Sequence, residues 1–140
     1  GSPSENLSLG EIPSTTEFVF QRVTAGPRKG DLAIVNVHPQ AGEAKPFMAS
    51  PTSPLVEDYA VVGLVPGLLP ERTVLILAGT TTFGTQAAAE YVSRLSSIEE
   101  LLTKLTGSKT GDLKPFEAVI HIKVARGVPV EAELVAVRKR

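Results

Sequence analysis

The chain has 140 residues, of which 42% are hydrophobic and 21% charged, with a formal net charge of −1 and no cysteine. This size and composition indicate one globular domain with a real core and argue against general disorder. The charge excludes a bulk basic field for nucleic acid or an anionic membrane surface. The missing cysteine excludes disulfides, thiolate catalysis and cysteine-based zinc sites.

Both ends of the chain are polar. Residues 1–17 contain Pro3 and Pro13 and predict a flexible N-terminal arm or linker before a single domain over residues 18–140. The start at Gly1 rather than Met is typical of a tag remnant, so we expect a piece of a longer protein. No apolar run reaches the roughly 18 residues that span a bilayer, so we expect no membrane contact by this segment. The missing cysteine fits any compartment, and we favour the cytoplasm. The basic run at residues 138–140 predicts a solvated tail.

The first part of the domain is β-rich. Residues 18–23 and 32–37 have strand character and are separated by turn residues 25–30, which predicts a hairpin. Residues 39–54 contain four prolines and Gly42. They predict a long irregular loop, of a length that is often functional or mobile.

Two continuously apolar runs follow, at residues 59–65 and 73–78. Continuous apolar character predicts strands that are covered on both faces, near the middle of a sheet. The connection of about seven residues is shorter than the dozen or more that a parallel crossover usually needs. Antiparallel pairing is therefore favoured over an unusually tight crossover.

Two helices are predicted next, over residues 85–95 and 98–105. Alanines let the first helix lie close on a sheet. Ser96 or Ser97 is the expected N-cap of the second helix, since residues 97–100 match the capping-box spacing, and Gly107 is the expected stop.

The last two strands are predicted at residues 115–125 and 130–138, joined as a hairpin through Gly127. Residues 115–125 alternate strictly, which predicts one wet face, with Glu117, Val119, His121 and Lys123 on it. The predicted fold class is α/β, or α+β, with a mixed β-sheet of about six strands and two helices on one face. The other face then needs cover by the Pro-rich loop, a partner or missing sequence, so a homodimer is a reasonable hypothesis.

The junction between residues 74–78 and the first helix is the best place to look for a ligand. Strand-to-helix turns hold ligands in many α/β proteins, and the first free N–H groups of a helix favour an anion. No phosphate-loop motif is present. The G-x-x-x-x-G-K-[ST] motif is excluded because no Lys follows Gly84, and the G-x-G-x-x-G motif is excluded because Gly79 and Gly84 are five positions apart. In the alternative reading the threonines only satisfy backbone groups of the turn, with Thr82 or Thr85 as the helix cap. The candidate ligand-binding residues are Gly79, Thr80, Thr81, Thr82, Gly84 and Thr85.

Catalytic and metal signals are weaker. His38 and His121 have no partner spacing for a metal, so we expect two surface histidines, no metal and no cofactor. Asp58 opens an apolar strand and is either a ligand-binding carboxylate or a solvated strand start. An enzyme using Asp58, Thr81 and one histidine would need at least two of these groups within hydrogen-bond reach.

Several segments carry a family resemblance. Residues 57–62, 64–67, 74–80 and 84–92 resemble the C-terminal region of a poorly characterised bacterial family. Its members often carry a helix-turn-helix or other signalling segment upstream, sometimes with a membrane helix. The resemblance covers roughly residues 55–138 and implies an α/β regulatory or sensor-type domain, not an enzyme. It supplies no catalytic residues.

The leading functional hypothesis is a non-catalytic ligand-sensing or protein-interaction domain of a bacterial regulatory protein. Its expected partners are a small anionic ligand and a second copy of the chain, without direct nucleic-acid contact. Two alternatives stay open. One is a small α/β hydrolase or transferase with its site at the turn 79–85, and the other is a structural domain whose sheet edges mediate assembly.

Overall fold

The computed structural model describes residues 15–67, 69 and 72–140. Within these residues the chain forms seven strands and two helices, close to the predicted six strands and two helices. In chain order they are β1 (Phe18–Arg22), β2 (Leu32–Asn36), β3 (Pro46–Met48), β4 (Glu57–Pro66), β5 (Thr73–Gly79), α1 (Thr82–Val92), α2 (Leu95–Thr106), β6 (Phe116–Ala125) and β7 (Val128–Lys139).

The strands form two antiparallel sheets, not the single mixed sheet that was predicted. The small sheet has the order β1-β2-β3 and the large sheet the order β5-β4-β6-β7. All five neighbouring pairs run antiparallel, because short loops join most of them in sequence. The pairing of β4 with β5 confirms the argument from their short connection. The fold is therefore mixed α+β and mostly sheet.

The large sheet is covered on both faces. The two helices pack on one face, where the core includes Ala60 and Ile120. The small sheet packs on the other face through a second cluster that includes Phe18, Val61 and Val119. The predicted wet face of β6 is therefore wrong at Glu117 and Val119, which are fully buried beneath the small sheet, whereas Lys123 farther along the same face is exposed.

The small sheet also corrects the loop predicted at residues 39–54. Its middle contains β3, which pairs with β2 and brings Phe47 into the core between the sheets. Pro46 stands at the first position of this strand, where a missing N–H is tolerated. The Pro-rich segment thus supplies part of the cover that the apolar strands require.

The helix starts differ from the predicted ones. Helix α1 begins at Thr82 with Thr81 as its N-cap, so neither Thr82 nor Thr85 is the cap. Helix α2 begins at Leu95 without a side-chain cap, and Ser97 lies buried inside it, so the predicted capping box is wrong. Gly107 ends α2 in the left-handed conformation, as predicted.

Glu100, expected in that capping box, instead joins the two helices. Its Oε1 accepts a hydrogen bond from the Tyr91 hydroxyl at 2.7 Å. Burial, together with this bond and the Glu100 charge, raises the pKa of Tyr91.

Neither helix among the described residues has the length and apolar character needed to cross a membrane.

The hairpin of β6 and β7 turns at Arg126 and Gly127, both with positive φ. Positive φ at both central residues is the requirement of a type I′ hairpin turn, which confirms the predicted role of Gly127.

The basic C-terminus is not the solvated tail that was predicted. The Arg138 side chain is only 9% exposed, lies 5.2 Å from the centre of the Phe18 ring and forms an ion pair with Glu43. The hydrogen bonds from Arg138 lower the pKa of Glu43 to about 2, and hydrogen bonds from Gln40 and Asn36 contribute less to this shift. Arg138 therefore bridges the two sheets.

The start of the described chain is held by a buried carboxylate. Glu117 on β6 accepts hydrogen bonds from the backbone N–H groups of Thr16, Glu17 and Phe18 and from the Arg140 guanidinium, at 2.8–3.1 Å. Residues 1–14 of the predicted arm lie outside the described residues.

Candidate functional site

The turn between β5 and α1 is built around the carboxylate of Asp58. Asp58 is fully buried and lies on the helix-facing side of β4, in step with Ala60 and Val62. Its Oδ2 accepts from the Gly84 N–H at 2.9 Å, the Thr81 hydroxyl at 2.5 Å and the Thr81 N–H at 3.2 Å. Its Oδ1 accepts from the Tyr59 N–H at 2.7 Å and from the Thr80 hydroxyl.

The carboxylate of Asp58 therefore occupies the position at the helix N-terminus that was predicted for an anionic ligand. Helix N-termini favour negative charge because their first N–H groups lack intrahelical acceptors. Here the Gly84 N–H donates to Asp58, and the Phe83 N–H donates to the Thr81 hydroxyl oxygen at 3.2 Å. The chain thus fills this anion position with its own side chain.

The two glycines of the turn allow β5 and α1 to approach each other closely. A Cβ atom on Gly79 would lie 2.4 Å from the Thr85 nitrogen, and one on Gly84 would lie 2.5 Å from Asp58 Oδ2. The Gly79 N–H donates to the Thr85 hydroxyl oxygen at 3.0 Å, which closes the turn. Gly79, Gly84 and Thr85 therefore have structural roles.

We expect Gly79→Ala to lower the free energy of unfolding by about 2–4 kcal/mol, because the new Cβ meets backbone atoms that cannot move aside. The matched control is Gly63→Ala in β4, whose Cβ would meet its nearest atom at 3.5 Å, an ordinary contact. It should change the stability by less than about 1 kcal/mol. Chemical denaturation of both variants measures the difference, and equal stability would contradict the close approach.

A cleft of about 390 Å³ opens beside the turn. Its lining includes Thr80 and Thr81, Arg22 at the end of β1, and Arg28 and Asp31 from the loop between β1 and β2. The remaining lining consists of Gly30, Leu32, Ala49, Ser50, Pro51 and Leu55. The volume falls in the range of small-molecule sites.

The arginines of the cleft are held in place by the loop. Arg28 Nε donates to Asp31 Oδ2 at 2.7 Å, and its Nη2 donates to the Ala49 carbonyl oxygen at 2.6 Å. Arg22 Nη1 donates to the Gly30 carbonyl oxygen at 2.6 Å. Sequence reasoning missed both arginines, since residues 22–31 were read only as a hairpin with its turn. No local pattern links that turn to threonines some fifty positions later.

Of the six predicted ligand-binding residues, the structure places Thr80 and Thr81 on the cleft. Thr82 is exposed in the first turn of α1. Ligand contact by these residues stays a prediction. The alternative interpretation, in which the threonines satisfy groups of the turn, describes the hydrogen bonds of Thr81 and Thr85.

The structure does not bring the histidines to this site. Asp58 and Thr81 are hydrogen-bonded, but His121 lies on the opposite face of the large sheet. There its ring is tilted against that of Tyr59, with 5.0 Å between the ring centres, and its Nε2 lies 3.0 Å from Glu57 Oε2. His38 is exposed and contacts Glu17 at 2.8 Å. No group of three or more potential metal ligands occurs within residues 15–67, 69 and 72–140.

Comparison of the chain with protein-family models, with curated proteins and with solved structures found no match.

Proposed function

We propose that this chain is a non-catalytic ligand-sensing domain of a regulatory protein, and that it binds a small anionic ligand in the cleft beside Thr80 and Thr81. The observation that carries the proposal is that Arg22 and Arg28 line the same cleft of about 390 Å³ as these threonines. Guanidinium groups present a rigid fork of donors that matches carboxylates and phosphates. The anion is proposed to bind at the arginines, not at the helix N-terminus.

The threonines add a requirement on the ligand. The hydroxyl groups of Thr80 and Thr81 donate their protons to Asp58. Toward any other group their oxygens can therefore only accept hydrogen bonds. A fitting ligand therefore carries an anionic group for the arginines and a hydroxyl or N–H donor for the threonines. Hydroxycarboxylates and sugar phosphates have this chemistry.

A non-catalytic role is supported by how the reactive groups are used. Asp58 has no exposed surface, and each of its oxygens accepts from a backbone N–H group. A general base must reach the proton that it removes from the substrate. A carboxylate buried in this way serves the turn instead.

Thermal unfolding with added ligands tests the proposal. Citrate, glucose 6-phosphate and inorganic phosphate are compared with sodium chloride at equal ionic strength. A bound ligand at a hundred times its Kd contributes about 2.7 kcal/mol, which raises the midpoint of a domain of this size by about 10 °C. The double variant Arg22→Gln, Arg28→Gln should lose this rise.

Lys45→Gln is the matched control, because it also removes a positive charge but lies next to β3, outside the cleft lining. It should keep the full rise in midpoint. Absence of a rise in the wild type beyond that of sodium chloride would contradict the proposal and favour a purely protein–protein role. An equal rise in the double variant would place the ligand elsewhere.

A further inference from the structure

Strand β5 is an edge of the large sheet without the features that usually prevent edge pairing. Within the described residues its only strand partner is β4. Its sequence, T-V-L-I-L-A-G, has no charge and no proline over seven residues, and its pairing with β4 is regular. Leu75 is 51% exposed. An exposed, apolar, regular edge presents unpaired N–H and C=O groups to another strand.

The other sheet edges of the described chain carry such protective features. Strand β7 has Pro129, Glu131 and Glu133 and two register shifts against β6. Strand β3 is three residues long and starts with a proline, and β1 ends in the polar pair Gln21 and Arg22. Charges, prolines, bulges and short length all block edge-to-edge association. The difference singles out β5.

The pattern of β5 fits a second copy of itself. An antiparallel pair centred on Ile76 places Ile76 opposite Ile76, Leu75 opposite Leu77 and Val74 opposite Ala78. Side chains alternate along a strand, so the leucines of both copies share one face and the residues 74, 76 and 78 share the other. A twofold interface needs this self-complementarity, and aliphatic cross-strand pairs stabilise it.

We propose that two copies of the chain associate through β5, antiparallel and centred on Ile76, so that the two large sheets form one continuous sheet. None of the residues of β5 lines the ligand cleft. The β5 strand has no charged group that would select a different partner. The order of large and small side chains along it is nearly the same in both chain directions, as pairing with a second copy in antiparallel orientation requires.

The mass in solution tests the association. Sedimentation equilibrium of the full chain should give the mass of two chains. The Leu75→Lys variant should give the mass of one, because its lysine would lie opposite Leu77 of the second copy and a charge on an edge strand blocks pairing. Leu75 is half exposed, so the variant should fold. Leu95→Lys is the matched control, since Leu95 is 76% exposed but lies at the start of α2. It should remain a dimer. A monomeric wild type at the highest soluble concentration would overturn the proposal, as would a dimeric Leu75→Lys.

Single cysteines test the register, since the chain has none of its own. Opposite residues of an antiparallel pair have Cα atoms about 4.5–5.5 Å apart, within the range of a disulfide. Ile76→Cys should therefore form a covalent dimer under mild oxidation. Thr73→Cys should not, because its equivalent in the second copy lies about 20 Å away at roughly 3.4 Å per residue. Cross-linking through Thr73→Cys but not Ile76→Cys would overturn the proposed pairing.

Discussion

Replacing Asp58 by alanine is expected to lower the free energy of unfolding by about 3–5 kcal/mol. The five hydrogen bonds to its carboxylate hold the end of β5, the start of α1 and the backbone of β4 together. Without it, the N–H groups of Gly84 and Thr81 are left without their acceptor at a buried junction. Each such group costs about 1–3 kcal/mol. Urea denaturation followed by circular dichroism measures the loss.

Asparagine at position 58 is expected to lower the stability as well. Oδ1 accepts from the Tyr59 N–H and Oδ2 from the Gly84 N–H, so the amide nitrogen of asparagine would face a backbone donor in either orientation. We expect Asp58→Asn to lose at least about 2 kcal/mol. Asp112→Ala, at an exposed position in the loop after α2, is the control and should stay within about 0.5 kcal/mol of the wild type. Wild-type stability of Asp58→Asn would contradict the role of the carboxylate.

Formate gives a second measurement on the alanine variant. It supplies the carboxylate group that the substitution removes, at a helix N-terminus that favours an anion. Formate should therefore raise the unfolding midpoint of Asp58→Ala more than sodium chloride does at the same concentration. The same comparison on the wild type, where Asp58 fills this position, gives the baseline that the variant should exceed.

Replacing Glu117 by alanine is expected to cost a similar amount, about 3–5 kcal/mol. Glu117 is fully buried between the two sheets and accepts six hydrogen bonds from Thr16, Glu17, Phe18 and Arg140. Its loss leaves three neighbouring backbone N–H groups without this acceptor and removes one ion-pair partner of Arg140. The entry into β1 should then loosen from β6.

Hydrogen exchange locates this second effect. The amide protons of Thr16, Glu17 and Phe18 should lose protection in Glu117→Ala by more than the global loss of stability explains. Glu133→Ala, which removes an exposed glutamate from β7, is the control and should leave the exchange of these amides unchanged. Unchanged protection at residues 16–18 in Glu117→Ala would contradict the proposed anchoring.

Asp58 and Glu117 perform the same task on opposite faces of the large sheet. Asp58 holds the start of a helix on one face, and Glu117 holds the start of the small sheet on the other. Each carboxylate accepts hydrogen bonds from three backbone N–H groups. Buried carboxylates in this chain therefore stabilise chain connections, and the proposed ligand site depends on arginines instead.

Local patterns in the sequence determined where most of the regular elements lie. Continuous apolar runs predicted β4 and β5, their short connection predicted antiparallel pairing, and Gly107 and Gly127 predicted a helix end and a hairpin turn. Each of these signals depends on residues within one element or one turn. The backbone conformation that glycine permits and the hydrophobic period of a strand are properties of the local chain.

Only the tertiary structure decided what covers the large sheet and where the polar groups meet. The alternation of β6 is that of a strand with one solvated face, yet the small sheet buries Val119 and Glu117 on that face, and Glu117 accepts a hydrogen bond from Thr16, 101 positions away. The same holds for Arg28, which lines one cleft with Thr80, and for Asp58 beneath the turn that follows β5. A carboxylate at a strand position has the same sequence signal whether water or buried N–H groups surround it. The packing of distant segments decides between the two, because it determines which donors come within reach and whether water is excluded.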